Sequence, residues 1–499
     1  MDQGSPPPCD GIGIVEFLQG KNYFITGATG FLGKAILLSV FNLSLSLFLA
    51  LVEKMLRGIP DVGKLFLLIK GKDKEATMKR LKSEIINAEV FKILKAIHGS
   101  SYEAFMMSKL VPVCGDVCSA NLGIDADTTN EIAKEIDVII NSAAKTTWDT
   151  RYDVAININT KGPARVLEFG KKCKKLGLFL HVSSAYVNGT RQGVFFEKPF
   201  CLEPRTARRD IITSKAQEIS VPFLDIDAEI KLASVAVESI DRNADRIMRD
   251  LGMERARIHG WCSTYEMTKA MGEMLIDSMR SSIPTVIIRP SLIESTYREP
   301  FPGWIQGYKV PILAAYGQCQ LPVNATLTAL AKHGIDGKPE LHVYHVATSV
   351  ANPHSFKDAF NYAYDYFSSS PLLDSKGKKI AIRPMKFLVS MDSFTDFIRN
   401  EPDDNVYMSD PKRYLRMQVA CFETVHRFMR IANLYRAYMF YKGRFDVTNT
   451  KRLIEDMSSE ERKKFNFDIE SINWEHYIKS VHIPGVRKHL LRQPPAAKL

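Results

Sequence analysis

From Asn22 onward the chain alternates short, nearly continuous apolar runs with stretches of helical periodicity. The runs Asn22–Thr26, Leu65–Lys70, Leu110–Asp116, Asp137–Ala144, Leu178–Ser184 and Thr285–Ser291 lack the polar alternation of a strand with one wet face. They suit strands covered on both faces, and so predict a parallel sheet with crossover helices, a doubly wound α/β domain. One more strand is expected over Glu340–Ser349, and helical patterns otherwise dominate after about Pro300. A Lys/Arg- and aromatic-rich region runs from Tyr414 to the end, where Phe422, Val425, Met429 and Ala432 share one helical face. That face reads as the core side of a smaller, mainly helical C-terminal domain, or as a basic helix lying on a membrane surface.

One stretch breaks the pattern. Ala35–Val52 runs for 18 residues without a charge, immediately behind a glycine-rich turn. A helix from Phe31 to Arg57 would hold about 27 residues and span roughly 40 Å at 1.5 Å per residue. Strands are only about 17–20 Å long, so such a helix overshoots the sheet. Without Ile36–Ala50, "FLGKA" joins "LVEKMLRG" directly, leaving a helix of about twelve residues with Leu51 and Met55 on one face and Gly58 as its stop. Residues 36–50 therefore read as an insertion. A transmembrane span is the weaker reading, since 18 residues containing Asn42 and three serines are barely enough to cross a bilayer.

With 45% apolar and 25% charged residues, the chain can bury an ordinary globular core. The excess of 67 basic over 56 acidic residues, +11, favours an anionic ligand, a phosphorylated cofactor or an anionic membrane surface. No nucleic-acid recognition motif accompanies it, so no nucleic-acid partner is expected. The eight cysteines are scattered; Cys114 and Cys118 are the one close pair and nothing stands at zinc spacing. Reduced thiols, an intracellular compartment and no metal site follow. Residues 1–12 read as a disordered tail with the marks of neither a secretory signal nor a transit peptide.

Gly27, Gly30 and Gly33 follow the first strand as G-x-x-G-x-x-G, with Thr29, Phe31 and Leu32 in the same turn. Such glycines let backbone amides approach a pyrophosphate at a helix N-terminus, the mark of a Rossmann-like dinucleotide site. The second strand ends in Lys70, with Lys72 just beyond, where NAD-binding chains usually place an acid. A cation there favours the 2′-phosphate of NADPH. Further on, Tyr265 and Lys269 stand four apart on one helix face. An ammonium beside a phenol lowers its pKa and can hold a ribose, so the phenol can protonate a carbonyl as hydride arrives. Ser183 and Ser184 close a strand, where a hydroxyl could bind the same carbonyl oxygen.

The stretches "GATGFLGK", "NSAAKTTWDTRYDVAININTKG", "HVSSAYVNG", "HGWCSTYEMTKAMGEML" and "IIRPSLIESTYREPFPGWIQG" resemble the extended short-chain dehydrogenase/reductases. More narrowly they resemble the alcohol-forming fatty acyl-CoA reductases of the plant branch. The stretch from Tyr441 to Leu491 is similar to that family's C-terminal domain. The resemblance implies Tyr265 as proton donor, Lys269 as its activator and ribose ligand, and Ser184 as oxyanion partner, where the family more often has Thr. It further implies that Asn159 supports the lysine through a water, that Asp116 and Val117 face the adenine, and that Ala143 and Ala144 line the cofactor. The implied reaction is NADPH-dependent reduction of a long-chain fatty acyl-CoA to a primary alcohol through a retained aldehyde.

The expected layout is a tail (1–12), an NADP-binding reductase domain (13–350), a connecting segment (351–400) and a C-terminal reductase-family domain (401–499). Two departures stand out: the insertion at 36–50, and some twenty family residues missing between Pro322 and Val323. The missing segment could leave the chain a catalytically impaired NADP(H)-binding protein, which is the rival reading. A sugar-nucleotide epimerase is disfavoured by the C-terminal block. Peripheral association with the cytosolic face of the endoplasmic reticulum is the expected location.

Overall fold

The structure is a computed structural model. It describes residues 11–28, 43–59, 61–200, 223–239, 243–306, 319–374, 376–400, 429, 432, 433, 436, 438 and 440–491, without the side chains of 43, 44 and 398–400. Thr29, Gly30, Phe31, Leu32 and Gly33 lie outside the described residues, as do 36–42, Phe422 and Val425.

Each predicted apolar run forms a strand: β1 (Tyr23–Thr26), β2 (Leu65–Ile69), β3 (Leu110–Cys114), β4 (Val138–Asn141) and β5 (Leu178–Val182). After a short β6 (Gly193–Phe195) come β7 (Thr285–Pro290) and β8 (Leu341–Val346). Seven of them make one sheet in the order β3-β2-β1-β4-β5-β7-β8, with every pairing parallel. Every residue of β1, β2, β4, β5 and β7 is buried, which is why those runs carry no polar alternation. The strand order reverses between β1 and β4, the point at which such sheets open a crevice at their C-terminal ends.

The helix after β1 is described over Leu43–Gly58, 16 residues or roughly 24 Å, and takes in residues 43–50 of the expected insertion. The five residues before Leu51 are Ser46–Ala50, and they extend the helix backwards. Leu45, Leu47, Phe48, Leu49 and Ala50 are each no more than 4% exposed. The apolar segment thus enters the core, because it continues the helix with side chains that repay burial. Among the described residues no helix is long and apolar enough to cross a membrane. Pro322 and Val323 are consecutive in the first turn of the Gln320–Asp336 helix, where proline's missing N–H costs nothing.

The C-terminal region is mostly helical but adds a strand, β9 (Gly443–Phe445), which pairs with β6. Buried Glu197 ties the two regions together, accepting from the His345 amide at 2.7 Å, the Thr450 hydroxyl at 2.8 Å and the Asn449 amide. Glu461 accepts from the amides of Ile12, Gly13 and Ile14 at 2.8–2.9 Å, so Ile12, within the expected tail, is held by the C-terminal region. Its carboxylate satisfies helix-start amides that would otherwise lack partners.

The Thr264–Met279 helix is bolted to β7 by Glu273 and Arg289, whose side chains are wholly buried and meet at 2.5 Å and 3.0 Å. Removing one partner strands a buried charge, so Arg289→Met is expected to cost about 3–5 kcal/mol in urea unfolding. Adding Glu273→Gln to it is expected to recover part of that loss.

Candidate active site

The C-terminal ends of β1, β4 and β5 lie in register, Thr26 beside Asn141 and Asn141 beside His181. Gly27 then turns with φ +92°, and a Cβ there would stand 3.0 Å from the Ala143 nitrogen and the Ser142 carbonyl carbon. Only glycine lets the two strand ends come this close. Beyond them a cavity of about 30 Å³ is lined by Leu47, Ser142, Ala144, Ser183, Ser184, Tyr265 and Lys269, among others.

Tyr265 and Lys269 reach that cavity from the Thr264–Met279 helix, which Ser263 caps by accepting from the Glu266 amide at 3.3 Å. The i, i+4 spacing turns both side chains toward the strand ends. The Tyr265 phenol hydrogen-bonds Ser184, while burial pushes its pKa up, so the phenol holds its proton at neutral pH. The Lys269 amine donates to the Val182 carbonyl at 2.7 Å and meets His181 Nε2 at 3.1 Å. Burial brings the lysine down to about 7, with the charge of Glu273 working against it. The Ser183 hydroxyl is buried without a protein partner at the cavity wall, a group disposed toward a ligand. Tyr438, from the C-terminal region, stacks on Trp148 with ring centroids 3.6 Å apart and donates to Ser263 Oγ at 3.1 Å, sealing the start of the helix.

Ser184, Tyr265, Lys269 and Ala144 therefore converge on one cavity, while Thr29, Gly30, Phe31, Leu32 and Gly33 lie outside the described residues. Lys70 and Asp116 form an ion pair at 2.8 Å across the ends of β2 and β3. The pairing lifts the lysine pKa; burial works to raise the aspartate, and the hydrogen bond from Lys70 wins and holds it below the usual carboxylate range. Val117 is buried, with its carbonyl taken by Arg165 at 2.9 Å. The Ala143 amide donates to Thr26 Oγ1 at 3.1 Å. Asn159 spends its amide on the Lys145 backbone, at 2.8 Å and 3.0 Å, and on the Thr268 hydroxyl at 3.1 Å, bracing the helix one residue before Lys269.

A nicotinamide dinucleotide suits this donor set: the Gly27 turn, the strand-end hydroxyls and the buried lysine are the groups it uses. The space suits it less. A cavity of about 30 Å³ holds about one water, and Leu47 is one of the side chains that line it.

Sequence reasoning missed Thr26, Asn141 and His181. Each is a polar residue near the end of an apolar run, and the shared position in three such runs was the available signal.

Two family models, both described as male sterility protein, match residues 47–340 (the NAD-binding one) and 413–493. The first match begins at Leu47, inside the apolar segment and beyond the glycine turn. The chain is 47% identical to fatty acyl-CoA reductase 2, chloroplastic, of Arabidopsis thaliana, over 97% of its own length and 80% of that protein's. It is 34% identical to the alcohol-forming fatty acyl-CoA reductase of Simmondsia chinensis, over 96% and 99% respectively. Among solved structures it resembles the reductase domain of a non-ribosomal peptide synthetase from Mycobacterium tuberculosis. There the TM-score is 0.52 at 15% identity, covering 97% of this chain and 96% of that one, a likeness of fold. The chain belongs to the fatty acyl-CoA reductase family, within the extended short-chain dehydrogenase/reductases.

Proposed function

We propose that this oxidoreductase uses NADPH to reduce a long-chain fatty acyl-CoA to a primary alcohol, retaining the aldehyde between two reductions. The observation that carries the reading is the convergence of Ser184, Tyr265 and Lys269 on one cavity at the strand ends, in a chain whose relatives are named fatty acyl-CoA reductases. NADPH, when bound, supplies hydride to the carbonyl carbon in each round. Ser184 and Tyr265 hold the thioester oxygen, and the phenol gives up its proton as charge gathers there. Donors fixed in advance around that oxygen are worth on the order of 3 kcal/mol each. In the first round the resulting hemithioacetal expels CoA as a thiol; in the second the same two hydroxyls receive the aldehyde oxygen.

The choice of NADPH is supported by Lys70 and Lys72 at the end of β2, where Arg80 also donates to the Lys70 carbonyl. An intracellular location at a membrane surface, where acyl-CoA is handled in lipid biosynthesis such as that of wax or suberin, completes the proposal. The +11 charge and the thiol usage favour it.

Leu47 favours a second reading, a chain impaired in cofactor binding. Removing Ile36–Ala50 separates the two. The deletion variant is expected to bind NADPH at least about tenfold tighter by fluorescence titration, since the obstructing side chain is gone. An unchanged Kd would mean that the segment does not obstruct. Tyr265→Phe is expected to cut NADPH oxidation with palmitoyl-CoA by about a hundredfold or more, the usual worth of a general acid. A loss below about tenfold would remove Tyr265 from that role. Lys70→Ala is expected to lower the preference for NADPH over NADH by about tenfold in KM, as loss of a phosphate partner should.

A further inference from the structure

We propose that the hairpin after Ser370, with the stretch leading from it into the Met391–Asn400 helix, is a docking surface for an anionic lipid bilayer. The proposal deepens the membrane-surface location given above by naming the surface that makes the contact. Its base is fixed: buried Arg487, from the C-terminal region, donates to the Ser370 hydroxyl at 2.5 Å and to the Ser370 carbonyl at 3.0 Å. The chain then turns back on itself, with Leu373 bridged to Lys379 in antiparallel fashion. The Ile380 amide donates to the Leu372 carbonyl at 2.8 Å, and the Asp374 amide to the Lys378 carbonyl at 2.9 Å. Asp374 serves the loop itself, where one carboxylate oxygen accepts from the amides of Lys376 and Lys378 at 2.8 Å and 2.9 Å. Gly377 takes the left-handed φ of +78° that so tight a loop requires.

What this stretch exposes sets it apart. Of the fourteen large apolar side chains exposed among the described residues, five fall within it: Leu373, Ile380, Met385, Phe387 and Val389, the last at 86%. A single exposed leucine needs no explanation, whereas a concentration of such side chains marks a contact surface. Phe387 rests against Phe360 with ring centroids 6.1 Å apart, and Lys386 lies over the Phe397 ring at 4.1 Å. The stretch is thereby held to the helices on either side of it, Phe356–Ser369 and Met391–Asn400.

Charge selects the partner. Residues 371–390 carry five cations, Lys376, Lys378, Lys379, Arg383 and Lys386, against the single acid Asp374. All five are exposed. The next acids, Asp392 and Asp396, share one face of the following helix, opposite Met391, Phe394 and Phe397. Long cationic side chains set among apolar tips suit a surface that is anionic outside and hydrocarbon within. The ammonium groups meet phosphates while the apolar tips enter beneath them. A nucleic acid would offer bases to stack on aromatic rings, and Phe387 is the one ring among the five exposed apolar side chains.

Co-sedimentation of the whole chain with lipid vesicles tests the surface without turnover. Phosphatidylcholine vesicles containing phosphatidylserine are expected to bind it about a hundredfold or more tighter than phosphatidylcholine alone, each cation at the surface being worth about fivefold. High salt should remove most of that preference. Lys378→Gln combined with Lys379→Gln should weaken anionic binding by about twentyfold, and Val389→Asp by about tenfold or more. Both variants alter exposed side chains, so an unchanged thermal midpoint is the expected folding control. In Val389→Trp the added emission should move to the blue on anionic vesicles as the ring leaves water. Binding that ignores salt and both variants would overturn the surface and leave the membrane location standing. No binding to either vesicle would overturn both, and self-association abolished by Val389→Asp without lipid would assign the surface to a second copy instead. Turnover of palmitoyl-CoA is a separate readout: its absence beside intact vesicle binding would sink the reductase reading and leave the docking surface standing.

Discussion

A lysine that is 1% exposed can remain in a protein interior only if its nitrogen is hydrogen-bonded and its charge is relieved. Lys269 meets the first through the Val182 carbonyl and the His181 ring, and burial meets the second by bringing its pKa down to about 7. The parallel register of β1, β4 and β5 aligns the polar strand ends; Ser263 starts the helix one residue before Thr264; Glu273 and Arg289 fix that helix against β7. Tyr265 and Ser184 then stand beside the lysine because one is four residues away on the same helix and the other ends the same strand as His181.

The sheet was legible because its five interior strands are covered on both faces and so read as nearly continuous apolar runs with β-branched and aromatic residues. Tyr265, Lys269 and Ser184 were legible because helix and strand periodicities fix where their side chains point. The polar residues behind them were not. Thr26, Asn141 and His181 lie 40 or more residues apart in sequence, and only the strand order makes them neighbours. Asn159 braces Lys145 and Thr268, while His181 meets the amine directly. The C-terminal region's role was hidden for the same reason, since β9 pairs with a strand some 250 residues earlier.

Local and global preferences collide in one place. Helix propensity and burial both favour Leu43–Ala50 joining the helix that runs on to Gly58, and the structure follows them. A dinucleotide site calls for bare amides at a glycine turn and helix N-terminus to face the pyrophosphate. An apolar segment that packs well has thereby placed Leu47 against the cavity that holds Tyr265 and Lys269. The junction at Pro322–Val323 shows no such conflict, since it sits inside an unbroken buried helix.

The central claim is that one carbon is reduced twice at a single site. Incubating the protein with palmitoyl-CoA and NADPH deuterated at both C4 positions, then analysing the product by mass spectrometry, tests it directly. Hexadecanol carrying two deuterium atoms on C1 is the predicted product. Free aldehyde carrying one deuterium, or no label on C1, would contradict it.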